Sequence, residues 1–75
     1  KHMAREDVES EVTGTVWKIE TNIGDAVSEG DVLMIIESMK MEIPVLATED
    51  GSIVEFAVEE GEAVSEGQVV VVLET

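Results

Sequence analysis

The sequence predicts an all-β domain built from two small antiparallel sheets that face each other. Valine and isoleucine dominate the apolar runs, the residue types that fit a pleated, half-buried surface. Glycines punctuate those runs, as turns between short strands require. The chain also repeats itself. Residues 14–38 and 51–75 align without gaps at an offset of 37, and nine of the 25 positions are identical. Two copies are too few for a solenoid. They suit one domain of two interlocking halves related by a pseudo-two-fold axis.

The elements follow in order. Strands are expected over 12–20, 32–38, 41–46, 52–59 and 69–74, with short extended pieces at 26–28 and 63–65 and no helix of useful length. Val54, Phe56 and Val58 alternate with small or polar residues, as one buried face of a strand does. The Ser-Glu-Gly tripeptides at 28–30 and 65–67 read as tight turns whose glycine takes positive φ. Gly24 and Gly61 mark a second turn in each half.

A chain of 75 residues holds one small core and buries only about 60% of the surface its unfolded form exposes. Lys1, His2 and Met3 read as an expression scar, with Met3 as the natural start and 4–75 as a single domain, expected to be monomeric. Without His2 the chain has no histidine for acid–base work near neutral pH. It has no cysteine, which removes disulfides and thiolate metal sites. No apolar run approaches the roughly 20 residues of a membrane-spanning helix, and the start lacks a signal-peptide stretch, so the cytoplasm is expected. The net charge of −14, from 18 acidic and 4 basic residues, opposes nucleic-acid phosphates and anionic membranes. Spaced carboxylates keep a small domain soluble, and the same field suits basic partners that bind briefly and release. Glu49-Asp50-Gly51 lacks the alternating oxygen ligands of an EF-hand loop, so no metal site is expected.

The segment Glu37-Ser38-Met39-Lys40-Met41-Glu42 lies between two apolar strands and holds no Gly, Asn, Asp or Pro. Strand register decides its form. A two-residue loop at Met39-Lys40 sets Ser38 opposite Met41, Glu37 opposite Glu42, Ile36 opposite Ile43 and Met34 opposite Val45. One face then carries Met34, Ile36, Met41, Ile43 and Val45, and Glu37 and Glu42 share the other face near the tip. A three-residue loop would scatter the apolar set, because a one-residue slip sends a strand's side chains to the other face. Leu33, Ile35 and Leu46 fall on the outer face and need cover from the second half. The two-residue loop places Lys40 at the tip. Such loops favour turns with positive φ and usually recruit Asn-Gly, so Met-Lys is a costly choice there. A lysine alone is an ordinary surface residue and methionines ordinarily fill cores. With both flanking a tip lysine, at least one methionine points outward.

At these residues the chain resembles the biotinyl domain family, the carrier modules of biotin-dependent carboxylases. Their attachment signature sets a lysine between two methionines, as Ser38-Met39-Lys40-Met41 does here, followed by Glu42. The resemblance covers nearly the whole chain and extends to short free-standing biotin/lipoyl attachment proteins. It implies a flattened β-barrel, the barrel-sandwich hybrid. It implies covalent biotin on Lys40, flanking recognition by Met39 and Met41, and Glu37, Ser38 and Glu42 as hairpin context. Lipoyl domains share the fold and usually read Asp-Lys-Ala at this point, so the methionines favour biotin over lipoate. Some bacterial carriers insert a protruding thumb in the first half, and Glu20–Ala26 is too short for one.

The resemblance also implies a mechanism. Lysine amines, with pKa about 10.4, are almost wholly protonated at neutral pH, and the chain offers no activating base. A biotin protein ligase would therefore deprotonate the lysine and present an activated biotin. A biotin carboxylase would load CO2 onto the bound biotin, and a carboxyltransferase would pass it to an acceptor, commonly an acyl-CoA. The chain itself is then a non-catalytic carrier. A lipoyl carrier and an unmodified protein-binding adaptor of the same fold are the alternatives.

Overall fold

The computed structural model describes residues 4–75, so the expected scar at 1–3 and the start at Met3 lie outside the described residues. The strands are β1 (Arg5–Glu9), β2 (Gly14–Ile19), β3 (Ala26–Val27), β4 (Val32–Ser38), β5 (Met41–Leu46), β6 (Gly51–Phe56), β7 (Ala63–Val64) and β8 (Val69–Glu74). They form two four-stranded antiparallel sheets, ordered β1-β8-β6-β3 and β5-β4-β2-β7. Each sheet draws two strands from each half of the chain, so neither half can close a core alone. Adding 37 to β2 and β3 gives β6 and β7, adding it to β4 gives β8 and one residue more, and residues 5–9 become 42–46, within β5. The repeat thus includes β1, which the sequence reading missed. Four of the five residues of β1 are charged, and the matching pair is Val8/Val45, both buried.

The core pairs by the same rule. Val16 with Ile53, Leu33 with Val70, Ile36 with Leu73 and Val27 with Val64 are all buried in one cluster. Four β-bulges also match at the offset of 37. Trp17 and Val54 are the extra residues in β2 and β6, and Leu33 and Val70 are the extra residues in β4 and β8. A bulge breaks the two-residue alternation, so Leu33 and Met34 are consecutive and both buried. This corrects the expectation that Leu33 lies on the outer face. Ile35 stays half-buried, and Leu46 remains exposed rather than covered by the second half. Likewise Ile53, not Val54, is the buried residue at the start of β6, which ends at Phe56 rather than 59; Val58 reaches the core from the following loop. The Ser-Glu-Gly turns form as expected. Gly30 and Gly67 take φ of 92° and 86°, and Asp31 and Gln68 donate backbone N–H bonds to the Ser28 and Ser65 carbonyls.

The domain is elongated, 42 × 18 × 18 Å. Backbone bonds join Ala4 to Thr75 at one end of the first sheet. Residues 10–13 run from the opposite end of that sheet, where Glu9 pairs with Val69, to Gly14 beside the β4–β5 turn. Thr13 in that connector bonds both Ser38, at the base of the turn, and Glu66, just before the Val69 end of β8, so the turn and the Ala4–Thr75 pair lie at opposite ends of the long axis.

The outer strands β1 and β5 guard their edges differently. In β1, Arg5, Glu6, Asp7 and Glu9 supply charge; in β5, Pro44 has no N–H to offer another strand. Glu6 also acts across the surface. Its charge is the main cause that holds the Glu49 carboxyl above the ordinary glutamate range, with a smaller push from Glu29. The penalty is absent below the unfolded chain's pKa and complete above the higher folded one, so it appears as pH rises through the upper acid range. Glu49→Gln is expected to raise the urea midpoint at pH 7 but not at pH 3, with a difference that shrinks as salt is added. In the core, Ile36→Ala and Leu73→Ala occupy equivalent positions. Each should cost about 2–5 kcal/mol by chemical denaturation, and near-zero cost at either would contradict the shared core.

Candidate functional site

The β4–β5 hairpin forms the site, in the register that the apolar pattern requires. Ser38 pairs with Met41, Glu37 with Glu42, Ile36 with Ile43 and Met34 with Val45. Two residues remain to reverse the chain. Met39 and Lys40 take φ of 53° and 67°, the signature of a type I′ turn. They are the only non-glycine residues with positive φ among the described residues. Each Cβ in that region costs of order 1 kcal/mol or more.

The hairpin is anchored at its base. The Ser38 hydroxyl donates to the Thr13 carbonyl at 2.8 Å. Thr13 Oγ1 in turn accepts the Glu66 N–H at 3.0 Å, tying the same connector to the second half. Gly14 lies against the backbone of Glu37, where a Cβ would run into the carbonyl oxygen. Thr13 and Gly14 escaped the site reading; the only sequence signal was Gly14 matching Gly51, which lies the same way against Glu74.

Beyond Ser38 the side chains leave the core. Lys40 is exposed, Met39 is 92% exposed and Met41 is 61% exposed. The register puts Met41 on the core-facing side, but it lies past the end of the core, and Ile43 is only half-buried. The apolar face of the hairpin is therefore shorter than expected. Glu37 and Glu42 are exposed as a cross-strand pair. Among the described residues the one ion pair joins exposed Arg5 and Glu55 at 3.8 Å, far from the turn in sequence. Among the described residues Lys40 holds no carboxylate.

The tip is convex. A side cleft of about 170 Å³ runs between residues 8–12 and β5, and neither it nor the shallower cleft around Asp7 and Glu66 includes residues 37–42. Among the described residues no group of three or more His, Asp or Glu is placed to hold a metal.

One lysine thus stands between two exposed thioethers at one end of a two-sheet domain. The family model described as "Biotin-requiring enzyme" matches residues 6–73, and the chain belongs to this biotin/lipoyl family. A biotinylated protein TB7.3 homolog of Mycobacterium leprae is 45% identical over 53 residues, which are 71% of this chain and 75% of that protein. The Kluyveromyces lactis urea carboxylase superposes with a TM-score of 0.89 at 38% identity, over 93% of this chain and 6% of its own. A single-chain, multi-domain long-chain acyl-CoA carboxylase superposes with a TM-score of 0.86 at 25% identity, over 95% of this chain and 7% of its own. The chain thus spans a small part of each carboxylase. It is a biotin carrier domain with the barrel-sandwich fold, and its cofactor is covalently bound biotin.

Relieving the turn should be visible in stability. Met39→Asn, which tolerates positive φ, is expected to stabilise the domain by roughly 1 kcal/mol in urea unfolding. No gain would mean that the backbone at position 39 is unstrained.

Proposed function

We propose that Lys40 is the residue that carries biotin, joined through an amide at Nζ, and that the chain is a non-catalytic carrier. The observation that carries this reading is the position of Lys40: a strained two-residue turn, between exposed Met39 and Met41, at the end remote from the termini.

The chain's own residues then have distinct tasks. Lys40 is the anchor. Met39 and Met41 offer flexible apolar contacts to a biotin protein ligase. Ser38, Thr13 and Gly14 hold the base of the hairpin, so the ligase meets one fixed loop. Glu37 and Glu42 stay solvated and present negative charge to a basic rim on the partner. Biotin, when bound, supplies reversible carriage of CO2. The protein's share is tethering: a group on a long arm at the end of a rigid domain reaches successive sites at high effective concentration.

The sites it serves are, in this reading, a biotin carboxylase and a carboxyltransferase. The two structural neighbours are a urea carboxylase and an acyl-CoA carboxylase. One carrier fold therefore accompanies different acceptors, and the partner sets the choice; an acyl-CoA is the acceptor proposed here.

Incubation with a biotin protein ligase, ATP and biotin should add one biotinyl group to the intact mass. Lys40→Arg should abolish the gain while leaving the fold intact by circular dichroism. Labelling of the Lys40→Arg protein would refute the site, and acylation by a lipoate ligase in preference would replace biotin with lipoate.

A further inference from the structure

Two thioethers flank Lys40, and their exposure separates them from the core methionine. Met39 is 92% exposed and Met41 61%, whereas Met34 is 0% exposed. Positive φ at both turn residues carries the chain through a two-residue reversal that leaves the Met39 side chain exposed. Met41 opens β5, and the hydroxyl of its cross-strand neighbour Ser38 is turned away to Thr13. The chain has no cysteine, so no thiol competes for an oxidant. Thioethers accept oxygen readily and reversibly. The most accessible sulfur atoms described in this protein therefore sit on both sides of the residue to be modified.

We propose that Met39 and Met41 are reversible oxidation sites, and that their sulfoxides shut off biotin attachment at Lys40. The proposal rests on the reading of Lys40 as the biotinylated residue. The oxidant is a peroxide. The sulfur lone pair attacks one peroxide oxygen, the S–O bond forms as the O–O bond breaks, and the other oxygen leaves as water after taking up the proton. Sulfur loses two electrons and the peroxide gains them. A methionine sulfoxide reductase reverses the step: two thiols become a disulfide, and the sulfoxide oxygen leaves as water.

The effect falls on recognition rather than folding. Oxidation leaves the Met39 and Met41 backbones unchanged, and neither side chain contributes to the buried cluster. It turns a flexible apolar side chain into a polar, chiral one. A ligase surface that buries a thioether then meets a polar oxygen, and the apolar gain of that contact is lost.

The test uses the full chain carrying Met3→Leu, so that the three remaining methionines can be compared. Biotinylation of the untreated protein is measured first. Failure to modify Lys40 there would sink the parent reading, and this proposal with it, before any peroxide is used. Hydrogen peroxide is then added, destroyed with catalase, and followed by peptide mapping and a ligase assay. The expected result is one oxygen each on Met39 and Met41 before any on Met34, with the initial biotinylation rate down roughly tenfold or more. Treatment with both epimer-specific sulfoxide reductases and a thiol should restore the rate. The proposal is overturned by oxidised Met39 and Met41 with an unchanged rate, by Met34 oxidising as fast as they do, or by a loss that the reductases do not reverse.

Discussion

Backbone pairing between Ser38 and Met41 leaves two residues in which the chain must reverse, and the rest of the structure depends on that closure. The first half ends at Ser38, and the second begins at Met41. Each sheet then takes two strands from each half. A longer link would let the halves slip in register, and a slip of one residue would turn the β5 residues Ile43 and Val45 away from the face that Ile36 shares. The turn is therefore held by burial on both sides of it. The buried ladder of β4 and β5 can sustain positive φ at Met39 and Lys40 where local preference alone would choose Asn-Gly. At the other end the same symmetry pairs Thr75 with Ala4, and no turn links the two. One pseudo-two-fold operation thus yields one closed tip and one open end.

That asymmetry is what a carrier needs. The open end can be held by other chain segments without hindering the tip. The closed tip presents Lys40 exposed. A net charge of −14 favours partners with basic approaches and rapid exchange. The outward positions of the halves also differ. Pro44 and Leu46 stand in β5 where Asp7 and Glu9 stand in β1. The sheet that carries Lys40 is the less charged along its outer strand.

Much of this was legible in the residues, for identifiable reasons. The repeat works because buried valines and turn glycines must recur when two halves fill equivalent places. The hairpin register followed from Met34, Ile36, Ile43 and Val45 alone. Charged β1 escaped because an edge strand can afford Arg5, Glu6, Asp7 and Glu9 on its free sides, leaving only Val8 to betray it. The bulges escaped because alternation assumes two residues per pleat; the consecutive apolar pairs Leu33-Met34 and Val70-Val71 were their trace. The tip's chemistry was legible only through resemblance of Ser38-Met39-Lys40-Met41 to a family signature. In physical terms a lysine between methionines is a surface lysine until a symmetric scaffold holds it at a fixed, strained turn.

The most direct measurement is a crystal structure of the chain after treatment with a biotin protein ligase and biotin. The account predicts continuous density from Lys40 Nζ into the biotin arm, positive φ retained at Met39 and Lys40, and an unmodified Lys18. Density on Lys18, or a tip that has refolded to negative φ around Lys40, would contradict it.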